Sequence, residues 1–143
     1  MTRPTTDAPI PQGNYLAAKR HGDLVFTSGM TPRKAGVLQL EGPVKAQEPI
    51  ESYKDAVILA CSNALVAARN QLAEGEAVAA ILSMTVFIAA EEGFAAHSKL
   101  ADFASAYLAE TLGPQGIGSR AAVGVATLPG NAPVEIQLVV AIG

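Results

Sequence analysis

Residues 79–89 hold Ile81, Met84, Val86, Phe87 and Ile88, with only Ser83 and Thr85 as polar interruptions. A half-exposed strand alternates apolar with polar, whereas this one is apolar at successive positions and rich in β-branched side chains, so both of its faces need cover. The run predicts a central strand of a sheet, and the rest of the chain must supply what covers it.

One cover is legible as two helices. Ile50, Tyr53, Val57, Cys61, Ala64, Leu65, Ala68 and Leu72 recur at three- and four-residue spacing after Pro49, which suits a first helical turn, and Gly75 is read as the end. A second stripe, Leu100, Phe103/Ala104, Tyr107/Leu108 and Leu112, is predicted to start near Glu91 and Glu92, where acidic residues favour a helix start, and to stop at Gly113-Pro114.

Residues 15–18 and 24–28 read as an opening hairpin around Lys19 to Asp23, and residues 31–48 as loop with one short strand at Val37–Leu40. Residues 120–126 and 134–142 read as a closing hairpin about the Leu128 to Pro133 loop, which is too short for a parallel crossover. The order predicts an α+β domain, a mostly antiparallel sheet of about six strands with both helices on one face. Since the strands are apolar at nearly every position, the other face is expected to be buried against another subunit.

The chain is expected to comprise an N-terminal arm at residues 1–10 and a single domain over residues 11–143, with no repeats or linker. Ten basic and thirteen acidic side chains give a formal charge of -3, which opposes a nucleic-acid partner. Residues 77–90 fall short of the roughly 20 apolar residues of a membrane helix, and no membrane partner is expected. A single cysteine, Cys61, and no signal-like leader point to a reducing cytoplasmic setting. Neither the lone cysteine nor the two histidines, His21 and His97, which read as surface, has metal-ligand spacing, and no cofactor motif is found, so neither metal nor cofactor is expected.

Charge inside a strand is the informative signal, because burying an unpaired charge is costly. In the last strand Val134, Ile136, Leu138 and Val140 alternate with Glu135, Gln137 and Val139, which turns Glu135 away from the helix-covered core. Pairing the closing hairpin about its loop sets Glu135 opposite Gly124 and brings Arg120 to the same face. Two readings follow. The pair is an ion pair fixing a subunit interface, or Arg120 grips a small carboxylate with its planar fork while Glu135 acts as general base on a water.

Asn14-Tyr15, Thr27 to Pro32, Ser119 to Val125, Leu128-Pro129 and Val134 to Ile136, in this order, resemble the Rid/YjgF family across essentially the whole domain. The resemblance implies a chorismate-mutase-like fold, a homotrimer with clefts between subunits, and cofactor-free hydrolysis of small 2-imino or enamine acids, of the 2-iminopropanoate type, to keto acid and ammonia. Arg120 then stands for the carboxylate-binding arginine, Glu135 for the water-handling glutamate, Tyr15 for the pocket mouth, and Ser28 with Gly29 for the wall beside it. The sequence departs from the archetype at Met30, where Gln is frequent, at Ala122, where Cys is common, and at Asp102, where an Asn is sought; Asp102 and Ala122 are kept as substrate-binding candidates. A non-catalytic small-carboxylate-binding regulator and a pathway-specific deaminase or hydrolase on a related acid stay open beside the imine deaminase.

Overall fold

The structure is a computed structural model that describes residues 8–143. Five strands form the main sheet: β1 (Ala18–His21), β2 (Leu24–Thr27), β5 (Val78–Ala89), β6 (Ser119–Val125) and β7 (Val134–Ile142), in the order β1-β2-β7-β5-β6. The two-residue strands β3 (Arg33–Lys34) and β4 (Val37–Leu38) pair separately, so the extra strand expected at Val37 exists, in shortened form. The arm expected at residues 1–10 lies outside the described residues over 1–7, and Ala8 to Ile10 border a cavity described below.

Helix α1 (Lys54–Arg69) follows a short 3-10 turn, Ile50–Tyr53, that Pro49 introduces in extended conformation. Val57, Ala60, Cys61, Ala64, Leu65 and Ala68 form its fully buried stripe. The helix ends where Asn70 donates to Val66 O, several residues before the turn at Gly75. Helix α2 (His97–Leu112) begins later than the acidic pair suggests, because Glu91 Oε1 instead accepts the Ala46 N–H in the preceding turn. Helix α1 lies over β2 and β7, and α2 over β5 and β6.

Strand β5 lies inside the sheet, between β7 and β6, but it is not uniform. Its pairing with β7 slips between Ile81 and Ser83, so Ile81 and Met84, an odd number of residues apart, both point into the core while Leu82 stays exposed. A bulge of this kind re-aims side chains without breaking the strand. Leu65, Ile88, Leu100, Leu108, Ile136 and Leu138 are fully buried between helices and sheet, each burial stabilising by about 1.5–3 kcal/mol.

The closing hairpin does not form. Strand β6 pairs in parallel with β5, and β7 lies between β2 and β5, antiparallel to both. The physical reason is α2: a helix between β5 and β6 provides the long connection that parallel neighbours need, while the Leu128–Pro133 loop carries the chain past β5 rather than back along β6. The sheet is otherwise antiparallel, as expected for the α+β fold.

The second face carries Leu24, Phe26, Phe87, Val123, Val139 and Ala141 with Ser83, Thr85, Glu135 and Gln137, and no element of the described chain covers it.

Candidate functional site

The revised strand order splits the expected site. Glu135 is paired with Phe87, not Gly124, and Gly124 is paired with Ile88. Arg120 is paired with the buried Met84 and points to the helix side, whereas Glu135 points to the uncovered side. The expectation that the two share a face is therefore corrected: β5 intervenes, and the alternation of the sheet separates them. Two strand spacings and three residues of rise put their Cα atoms about 14 Å apart, too far for one small acid to bridge within a chain.

The first group forms around Gly29. Met30 and Ile136 exchange backbone hydrogen bonds, Met30 N–H to Ile136 O at 2.7 Å and Ile136 N–H to Met30 O at 2.8 Å, and this bridge sets Gly29 against Glu135. A Cβ at Gly29 would collide with the Glu135 carboxylate, so the glycine is what lets that side chain lie down on the backbone. Glu135 makes no hydrogen bond or ion pair among the described residues, and burial pushes its carboxyl above its ordinary value. Ser28 donates from Oγ to Leu16 O at 2.6 Å and from its N–H to Ala17 O at 2.9 Å, tying the end of β2 to the strand start. Tyr15 stands nearby, half exposed, with its hydroxyl accepting the Gln12 N–H at 3.1 Å. Tyr15, Ser28, Gly29 and Glu135 are thus brought together.

The second group forms on α2 and β6. Arg120 Nη1 donates to Asp102 Oδ1 at 2.8 Å and to Ser105 Oγ at 3.0 Å, and Nη2 donates to Ser98 Oγ at 2.8 Å and Ser98 O at 3.2 Å. Ala122, paired with Val86, follows Arg120 on the same face. Asp102 is mostly exposed, as an off-stripe carboxylate should be, yet it is not idle. Ser98 and Ser105 escaped the sequence reading. The signal was there: residues 98, 102 and 105 fall at helical spacing, one polar row on an otherwise apolar helix. His97, read as surface, is half-buried, edge-to-face with Phe94 at 5.0 Å and with Nε2 close over Gly124.

Between α1, the β3 loop and residues 8–15 lies a small cavity of about 50 Å³, bordered by Tyr15, Gly29, Met30, Arg33 and Asn63. Met30 therefore does line a hollow beside the first group. No cluster of three His, Cys, Asp or Glu among the described residues is arranged to hold a metal, and Cys61 is buried, its thiol pushed up to about 12 by burial.

This sheet order, with two helices on one face, defines a fold class. The chain belongs to the endoribonuclease L-PSP family, the YjgF/Rid family, whose model matches residues 5–142. Among solved structures it is similar to the protein Atu1372 of Agrobacterium tumefaciens, of unknown function, with 30% identity over 94% of this chain and 86% of that one at a TM-score of 0.81. It is also similar to E. coli TdcF, solved with bound serine, at 25% identity over 96% and 94% of the two chains and a TM-score of 0.68. The E. coli YjgF gene product, 19% identical over 96% and 94%, shares the fold at a TM-score of 0.65. No curated protein matches the chain. No helix among the described residues is long and apolar enough to cross a membrane.

Proposed function

We propose that the protein is a cofactor-independent hydrolytic deaminase of small 2-imino or enamine acids, working as a homotrimer in the cytoplasm. The observation that carries this reading is Glu135: a carboxylate with no ion-pair partner among the described residues, laid on the Gly29 backbone and pushed upward by burial, has the properties of a general base. In the reaction a water attacks the C=N carbon and gives its proton to Glu135. The carbinolamine nitrogen takes that proton back, and as the C–N bond breaks the carbinol hydroxyl gives its own proton to Glu135, which passes it to the departing ammonia, so that the keto acid and an ammonium ion remain.

Arg120 supplies the fork for the acid end of the substrate. Because Arg120 and Glu135 of one chain lie on opposite faces, the cleft is formed between copies, with Arg120 at the β6 edge of one copy beside Tyr15, Ser28, Gly29 and Glu135 of the next. The uncovered apolar face supports such an assembly.

Asp102 favours one variation. The Asp102 carboxylate beside Arg120 adds an opposing negative charge to the site, so a pathway-specific deaminase or hydrolase acting on an acid with a hydroxyl or amino tail fits this site better than a bare dicarboxylate would. An RNA-cleaving role suggested by the family's description is opposed by the formal charge of -3.

The test is keto-acid and ammonia release from imine generated in place by an amino-acid oxidase. The wild type is expected to accelerate release, and Glu135→Gln and Arg120→Ala to lose that acceleration while keeping their fold. Equal rates with wild type, mutants and buffer would remove the proposal.

A further inference from the structure

The Arg33 cavity is used by no step above. Arginine carries five N–H donors. In Arg33, Nε donates to Thr31 Oγ1 at 3.2 Å and Nη1 to Gly36 O at 3.0 Å, which leaves three hydrogens unassigned, and Nη2 has no hydrogen-bond partner among the described residues. The ion pairs of the described chain involve Arg20 and Arg120 only, so this guanidinium has no carboxylate of its own.

The surroundings hold the side chain in place. Asn63, buried in α1, donates from Nδ2 to Thr31 O at 3.1 Å and to Arg33 O at 2.8 Å, which anchors the backbone on both sides of Pro32. Gly130, at φ 66°, leaves room for the head group: a Cβ there would stand 2.5 Å from Nη2. A half-buried, pre-oriented cation with free donors, beside a concave wall of Ile10 and Met30 with the polar groups of Gln12 and Tyr15, is built to receive a planar anion.

Size selects among anions. The cavity holds about 50 Å³, where about 10–15 Å³ on the same measure is enough for one water. That admits a carboxylate head and leaves the remainder of a ligand to extend over Ile10 and Tyr15, both of which are substantially exposed.

We propose that Arg33 and the Tyr15 hydroxyl, with Asn63 only holding the Arg33 backbone in place, form a second carboxylate-binding site within a single chain, separate from Arg120, that takes the acid end of a small organic acid. Since Gly29 borders this cavity on one side and meets the Glu135 carboxylate, occupancy here is felt at the proposed general base. The site does not require the deaminase reading, and it does not require a second copy of the chain.

Titration of the full-length protein with acetate and with pyruvate at constant ionic strength, followed by backbone amide shifts and calorimetry, tests this. The expected result is saturable binding that moves the Gly29, Arg33 and Gly36 amides. It should weaken about tenfold or more in Arg33→Gln and persist in Arg120→Gln. Ile10→Trp fills the mouth from an exposed position and should weaken binding as well; it decides the matter if Arg33→Gln does not fold. Absence of saturable binding, undiminished binding in Arg33→Gln and Ile10→Trp, or loss in Arg120→Gln alone overturns the proposal. The last outcome would leave the deaminase reading standing, whereas binding lost only through Arg33 leaves that reading to its own turnover assay.

Discussion

The guanidinium of Arg120 is joined to the carboxylate of Asp102 at 2.8 Å, eighteen residues back in sequence and one layer away in space, with Ser98 and Ser105 completing the row. Asp102→Asn keeps the shape of this contact and removes its charge. Because the Asp102 side chain is 65% exposed, folding stability is expected to change by no more than about 1 kcal/mol. In an Arg33→Gln background, small-carboxylate affinity is expected to rise roughly threefold to fivefold as the negative charge beside Arg120 is removed. Calorimetric titration with pyruvate measures it, and an unchanged or lower affinity would mean that Asp102 does not restrain Arg120.

Glu135→Gln should separate stability from activity. Burial raises the folded carboxyl above its ordinary 4.5, so the folded state holds the proton more tightly than the unfolded state does. The cost is absent below 4.5, where both states are protonated, and is complete once the pH has passed the folded value. The glutamine variant is thus expected to melt higher than wild type at neutral pH, with the gap closing on acidification below 4.5. A gap independent of pH would show that desolvation of this carboxylate is not its origin.

The opposite sign is expected at Glu76. Its carboxyl is held down to about 2, first by hydrogen bonds from Arg20, Nη2 to Oε2 at 2.8 Å among them, and then by the Ala73 N–H at 2.6 Å. A lowered carboxyl contributes stability that is present above its ordinary 4.5 and lost as pH falls towards the folded value. Acid unfolding of wild type and Glu76→Gln should therefore differ at pH 6 and converge as pH falls from 4.5 to about 2. Curves that remain parallel throughout would contradict the role of the pair, which ties β1 to the turn after α1.

Phe26 tests the uncovered face. It is 46% exposed in the single chain and paired with Val139 in mid-face. If three copies bury this face, Phe26→Glu removes about 1.5–3 kcal/mol of apolar burial per copy and adds an unpaired charge, so sedimentation should show monomers with unchanged circular dichroism. A wild type that sediments as a monomer, or a variant that stays assembled, removes the trimer from the proposal.

Helix and strand identity were readable because their signals are local. The α1 stripe from Val57 to Ala68 and the apolar run of β5 each express one period and one burial requirement. Strand neighbours were not, since pairing is decided by where α2 delivers the chain, and nothing in Ser119–Val125 distinguishes a partner at β7 from one at β5. That single misplacement carried Arg120 to the wrong face. Among the site residues, Glu135 and Arg120 were legible as charges inside apolar strands, whereas Tyr15, Ser28 and Gly29 were singled out only through family resemblance, and Asp102 as a departure from it. Ser98 and Ser105 were overlooked because serines on a helix carry no charge to attract notice, and Arg33 because its loop has no period at all.

Strand β7 follows every other strand in sequence yet occupies the middle of the sheet, between β2 and β5. During synthesis, then, the β1–β2 hairpin and the β5–α2–β6 unit emerge as two pieces, each with a bare edge, and no strand pairing joins these two edges until residues 134–142 have left the ribosome. A nascent chain in that interval offers two adhesive strand edges and an apolar slot the width of one strand. Such a chain would be vulnerable to insertion of a foreign strand at the place where its own belongs, and a peptide of the β7 sequence supplied in trans would be a natural competitor for its folding.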